Sequence, residues 1–209
     1  MSEAELPPRE RMVRSAAQLI RRQGVSGTGL REIVARAQAP RGSLQHYFPD
    51  GKQQLVSDAL AWMGQVASRR VRRHLRSLDT PKPSELLAGI VGDWRRDLQV
   101  EGYTAGCPLL AAAADTAATN DEVRQVIKDA FEGWTAPLAE ALAELGVPAE
   151  RSGSLAILVI CALEGAIILA RIYRDPGPLD ALDAELGPML DAAAEGHSQA
   201  RPRPRRTST

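Results

Sequence analysis

The sequence predicts an all-α protein of about nine helices, an N-terminal three-helix helix-turn-helix domain followed by a larger helical body. Three observations lead there. Apolar residues recur at spacings of three and four, as in Met12, Ala16, Leu19 and Ile20, or Leu55, Ala59, Met63 and Val66, which is the period of a helix with one buried face. No stretch sustains the two-residue alternation of a half-buried strand. Aromatic residues, which strands favour, are only 4% of the 209 residues.

Proline and glycine set the boundaries. A first helix is expected from Pro8, which suits the first turn, to Gly24, where a left-handed residue ends it. A second is expected over Thr28 to Ala37 with Thr28 as N-cap. After a turn at Gln38, Ala39 and Pro40, a third opens at Pro40 and stops near Phe48, ahead of Pro49, Asp50 and Gly51. A long fourth helix then runs from about Asp50 to Leu78 and grows rich in arginine (Arg69, Arg70, Arg72, Arg73, Arg76). Past the Thr80–Pro83 break come helices at about 84–101, 108–117, 120–145, 148–174 and 178–195. The expected division is 1–52 for the head, 53–200 for the body and 201–209 for a disordered basic tail, RPRPRRTST, which has no apolar residue to bury. Its four arginines either add nonspecific phosphate attraction or form a solvated end.

The 26 basic and 26 acidic side chains cancel, but not locally: residues 1–76 carry a net +8, residues 77–200 a net −12 and the tail +4. Such a partition marks the N-terminal region as the part that meets an anionic partner. Two cysteines without paired spacing exclude a disulfide framework or zinc site, and the three histidines share no metal-ligand spacing, so no metal or cofactor is expected. A charged N-terminus replaces the apolar stretch of a signal peptide, and the longest apolar run, Leu155–Ala170, is 16 residues interrupted by Glu164. That is short of the roughly 20 residues that span a bilayer. The expectation is a cytoplasmic protein with no membrane partner. No nucleophile, base and orienting group recur at useful spacings, and no phosphate loop is present, so it is expected not to be an enzyme.

At about 100° per residue, placing Leu44 at the core direction brings Pro40, Tyr47 and Phe48 to the same side. Gly42, Ser43, Gln45 and His46 then face outward, small and polar as a helix entering a major groove requires. Gln45 can bond adenine N6 and N7 together, and Ser43 can serve bases or phosphates. Arg41 can reach a phosphate or guanine, and Lys52 adds its charge to the free N–H groups that begin the fourth helix.

The ordered string LREIVARAQAPRGSLQHYFPDGKQQL, Leu30 to Leu55, resembles the helix-turn-helix of TetR-family regulators. The resemblance implies that Ser43 and Gln45 face bases and that Gly42, His46, Tyr47 and Lys52 address the DNA backbone, with Leu44 and Phe48 in the core. Thr28 and Arg41 complete the expected DNA-binding set. Val34 stands where alanine is common, and Gln45 replaces a common tyrosine, which bears on base preference. The body resembles regulators of the LmrA and YxaF type through Phe48–Lys52, the Gly106-Cys107-Pro108-Leu109 step and Ala162–Ile167. That resemblance implies a repressor responsive to a small molecule.

Expected ligand-binding residues are Trp94, Tyr103, Cys107, Leu110, Phe131, Trp134, Cys161 and Glu164, since clustered aromatics with a few polar groups are what apolar pockets use. Each aromatic alternatively fills an ordinary core. Glu164, a carboxylate on an apolar helix, must find a partner or shift its pKa; it pairs with Arg171 or another helix, or meets a cationic or hydroxylated ligand. The expected partners are a double-stranded DNA operator, a small apolar effector and a second copy of the chain. Homodimerisation would use the last two helices, with Leu179, Leu182, Leu186, Met189 and Leu190 as a stripe on the final one. Effector and operator would oppose each other by a reciprocal coupling of about 1–3 kcal/mol, with the fourth helix as lever. Two rivals stand beside this: a DNA-binding regulator whose body answers to a protein or to no ligand, and an all-α scaffold without DNA binding.

Overall fold

The computed structural model describes residues 6–40, 42–116 and 118–200, the side chains of 196–200 excepted; Arg41 and the 201–209 tail lie outside the described residues. Among the described residues there are nine helices and no strand, as expected. They are α1 (Pro8–Gly27), α2 (Leu30–Arg36), α3 (Ser43–Tyr47), α4 (Gly51–Arg76), α5 (Pro83–Val100), α6 (Pro108–Thr116), α7 (Asp121–Glu144), α8 (Ala149–Tyr173) and α9 (Gly177–Ala200). Pro8 and Pro83 stand in the opening turns of α1 and α5, where the missing N–H loses no helix bond. Gly24, at φ +73°, breaks α1 where the sequence placed its end, and a further turn follows to Gly27. Asn120 caps α7 by accepting from the Val123 N–H at 3.0 Å, with Asp121 and Glu122 in the first turn favouring the helix dipole.

Two boundaries differ from expectation. The N-cap of α2 is Gly29, not Thr28. Thr28 is buried at 1% exposure, and its hydroxyl donates to the Gly24 carbonyl at 2.6 Å, closing the kinked end of α1 instead. The third helix opens at Ser43 rather than Pro40, because the Ser43 N–H and hydroxyl both donate to the Pro40 carbonyl and form a turn there. Gln38, at φ +48°, takes the left-handed step that reverses the chain between α2 and α3.

One apolar core runs through head and body. Met12, Ala16 and Ile20 of α1 meet Phe48, Leu55 and Leu60, and the cluster continues to Trp94, Trp134 and Leu163 without a gap. The long helix α4 is its spine, between α1 and α7. Gly64 permits the second packing: a Cβ there would lie 2.9 Å from the Ala130 Cα, too close for any side chain.

Helix α8 is long and apolar enough by length and composition to cross a membrane, with mean hydropathy 2.4, yet half of its apolar window lies inside the protein. Its inner face buries Leu155, Val159, Leu163, Ile167 and Ala170, while Ile157, Leu158, Ile168, Leu169, Ile172 and Tyr173 remain exposed. The α9 stripe is different from expectation. Leu179 and Leu190 are buried in the chain's own core, Leu182 and Leu186 pack half-buried against it, and Met189 is the exposed member. Packing against α5 and α8 consumes that side of α9.

Candidate nucleic-acid interface and internal cavity

The short helix α3 is held from beneath. Phe48 is fully buried, Leu44 and Tyr47 are half-buried, and Gly42, Gln45 and His46 are exposed, in agreement with the wheel. Ser43 is half-buried and gives its proton to Pro40, leaving its lone pairs to accept. The Gln45 amide donates to the Pro49 carbonyl at 3.1 Å, so pairing both edges of adenine requires that bond to open. His46 stands edge-on against Tyr47, with ring centroids 4.8 Å apart. Lys52 lies in the first turn of α4, half-buried, and its charge helps hold the Asp115 carboxyl below the usual range, chiefly set by the Ser26 backbone N–H. Thr28, by contrast, is shut inside the head and its hydroxyl is engaged.

The basic charge of residues 1–76 does not all lie on the head, contrary to expectation. Arg69 to Arg76 sit at the far end of α4, roughly 25 Å or more from Lys52 at 1.5 Å per residue, and two of them serve the body. Arg70 bonds Asp97 at 2.9 Å, and Arg73, His74 and Arg96 converge on Asp93. Burial would raise the Asp93 carboxyl, but the His74 hydrogen bond and the neighbouring arginines outweigh it and hold the group ionised. Residues 1–52 alone hold nine basic and five acidic side chains. Several of those cations are engaged internally, as in Arg9–Asp58, Arg14–Glu10 and Arg22–Glu101. Among the described residues of the head, Arg31 and Lys52 are the cations with neither an ion pair nor a side-chain hydrogen bond, Arg11, Arg21 and Arg36 being held by carbonyl or amide oxygens, and Arg31 is an exposed α2 cation outside the expected DNA-binding set. Its signal was its phase, one residue after the buried-side Leu30.

In the body, an apolar cavity lies between α4, α5, α7 and the start of α6. Met63, Ile90, Trp94, Cys107, Leu109 and Trp134 line it, with Arg70 at its edge. Its volume is about 30 Å³, room for a single water. Of the expected ligand set, Trp94, Cys107 and Trp134 come together there. Glu164 adjoins the Cys107 thiol, whose pKa is raised first by burial and then by the Glu164 charge. Phe131 stacks on Trp134 at 6.4 Å outside the lining. Leu110 is half-buried, Tyr103 is in the loop before α6 with φ +61°, and Cys161 is exposed on the outer face of α8. None of these three lines the cavity. A wider hollow of about 690 Å³ between α5 and α9 is open and acidic, with Glu85, Asp180, Asp183 and Asp191 in its walls, the reverse of an apolar pocket.

Glu164 is 6% exposed, and its carboxylate oxygens make no well-formed hydrogen bond, although the Cys107 thiol is close enough to lower its pKa in part. Burial pushes its pKa up to about 7. Arg171 does not relieve it: that guanidinium donates to the Thr104 carbonyl at 3.2 Å. Cys107 is equally unlike a reactive thiolate, because burial, followed by the Glu164 charge, drives its pKa well above the ordinary value. Among the described residues no group of three His, Cys, Asp or Glu could hold a metal ion.

Comparison with known proteins places both halves. Residues 13–59 match the pattern of bacterial regulatory proteins of the tetR family, and residues 83–185 match the C-terminal domain of LmrA/YxaF-like transcriptional regulators. An uncharacterized HTH-type transcriptional regulator of Mycobacterium tuberculosis is 36% identical over 188 residues, covering 88% of this chain and 94% of the relative. The HTH-type regulator YxaF of Bacillus subtilis is 30% identical, over 87% of this chain and 94% of its own. The fold is shared with the crystal structure of a regulatory protein TetR from Rhodobacter sphaeroides, at TM-score 0.76 and 21% identity, covering 86% and 96% of the two chains.

Proposed function

Because the chain belongs to the TetR family of bacterial regulatory proteins, we propose that it is a repressor that binds a palindromic operator as a homodimer and leaves it when a small, largely apolar effector enters the body. It is a transcriptional regulator and not an enzyme; DNA binding follows from the family. The observation that carries the reading is α3, whose Gly42, Gln45 and His46 face outward beside Lys52 at the start of α4. A helix with this small polar face enters a major groove, and a cation at a helix N-terminus grips a phosphate. Its place of work is the cytoplasm, where the DNA is. The division at residue 52 between a head and a body belongs to the same proposal.

Two copies are needed because one short recognition helix reads too few base pairs, and a symmetric operator calls for a symmetric reader. The exposed apolar row on α8 supports that face as the interface, and Met189 is the exposed apolar member of the α9 stripe. The effector would enter beside Trp94 and Trp134, and the cavity must open to admit it, since drug-sized ligands need roughly 300 Å³ or more. The tightness of the cavity also supports a second reading, in which the body answers to a protein partner or to no ligand.

Lys52→Glu and Gln45→Ala test the interface by fluorescence anisotropy on operator duplexes. Lys52→Glu should weaken binding by about tenfold or more on every sequence and flatten the salt dependence. Gln45→Ala should instead cost about 1–3 kcal/mol on the best site and relax base preference at one position. Silence of Lys52→Glu in this assay contradicts the assignment and favours the scaffold.

A further inference from the structure

The 101–107 loop is clasped by the head. The Gly106 N–H donates to the Arg21 carbonyl at 2.8 Å, and the Arg21 Nε donates back to the Gly106 carbonyl at 3.0 Å. Two contacts flank this pair: Arg22 with Glu101, and Ser26, whose backbone N–H and hydroxyl both donate to Asp115. Residues 21, 22 and 26 of α1 thus grip residues 101, 106 and 115 across the head–body boundary.

The grip falls on the cavity wall. Cys107, the next residue after the clasped glycine, lines the cavity, and the Arg21 guanidinium lies 5.9 Å over the ring of Trp94, which lines it too. The other side of the loop is fixed by α8. Arg171 donates to the Thr104 carbonyl, and a Cβ on Gly106 would meet the Arg171 Nη1 at 2.8 Å. Any widening of the cavity that displaces Cys107 or Trp94 therefore bears directly on Arg21. From Arg21 the chain has three residues to the Gly24 kink and seven to Thr28, which leads into α2. The cavity-lining part of α4, by comparison, begins at Met63, eleven residues beyond Lys52.

Arg21 is also an uneconomical residue for stability alone. Its Nη2 is buried without a hydrogen-bond partner, and burial weakens its charged form. A partly buried cation with an unmatched donor costs stability rather than adding it.

We propose that Arg21 is the positioning residue that couples the internal cavity to the DNA-reading head, transmitting movement of the 101–107 loop through α1. The proposal rests on the DNA-binding reading and deepens it: α4 is not the sole lever. Coupling between two sites is reciprocal, so DNA on the head must act on the cavity wall even with no effector bound.

The test uses the full chain and a duplex selected from random DNA by the protein. N-ethylmaleimide labelling of Cys107 is followed by peptide mass spectrometry, which reads it apart from Cys161. Saturating duplex should slow Cys107 labelling about fivefold or more. Arg21→Met removes both guanidinium contacts. It should bind the duplex within a few-fold of the wild type while the DNA effect on Cys107 shrinks below about twofold. Arg21→Lys keeps the charge, loses the Nε bond to Gly106 and should behave likewise, so the test survives if the methionine variant does not fold. An unchanged Cys107 rate on DNA, or a full DNA effect in the folded Arg21 variants, overturns the coupling while leaving DNA binding intact. Failure to retain any duplex overturns both, and is recognised by the absence of binding itself.

Discussion

Replacing Ile168 and Ile172 together by glutamate is expected to convert a dimer into a monomer at micromolar concentration and to abolish operator binding. The two side chains are 41% and 68% exposed in the single chain, one turn apart on the outer face of α8, with Ile157, Leu158 and Leu169 on the same side. So large a contiguous apolar face is uncommon on a monomer, and each glutamate would have to lose its hydration inside the interface, at several kcal/mol per unpaired charge. The weakening should exceed a hundredfold. Neither side chain is in the chain's own core, so helical content and the folding of each monomer should be retained by circular dichroism. Light scattering distinguishes the outcomes: a wild-type monomer, or a double variant that stays dimeric, removes α8 from the interface.

The second large effect is a stability that depends on Glu164. Its pKa is about 7 in the folded chain against an ordinary 4.5, so between those values the folded state holds a proton that the unfolded state has released. Stability therefore falls as pH rises from about 4.5 to about 7, and the penalty is complete above it. The size is about 3 kcal/mol, from about 1.4 kcal/mol per pKa unit. Glu164→Gln keeps the shape and cannot ionise. Urea unfolding of this variant should lose the decline across that window and exceed the wild type by up to about 3 kcal/mol at pH 8. Equal pH profiles for the two proteins would mean that the carboxylate finds a partner in solution. An effector that supplies a hydrogen-bond donor to Glu164 should restore part of the wild-type stability at pH 8, since binding to the folded state alone stabilises it.

Local chemistry accounts for what was legible in the sequence. The helical period and the proline and glycine breaks located α4, α5, α7 and α8 closely, and the phase of Leu44 placed Gln45 and His46 outside and Phe48 inside. Thr28 was misread because a threonine before a helix looks like a cap, whereas here its hydroxyl closes the preceding kink. The start of α3 was misread because proline suits a first turn, but the Ser43 hydroxyl captures the Pro40 carbonyl first. Tertiary pairing was not legible at all. Counting Arg69–Arg76 with the head assumed that charge near in sequence acts near in space, while Arg70 and Arg73 spend theirs on α5. Trp94 and Trp134 met at one cavity, yet Cys161 turned outward, because only the packing of α8 against α7 and α9 sets which of its apolar faces is inside. The Arg21–Gly106 clasp spans 85 residues and leaves no periodic trace.

The most direct measurement is a selection of duplex DNA from a random pool by the purified full chain, followed by stoichiometry and salt titration on the winning sequence. The expected result is an inverted repeat bound by an even number of chains, with affinity falling steeply as salt rises and lost on scrambling either half-site. A pool with no enriched sequence, or a site bound by one chain without symmetry, would contradict it.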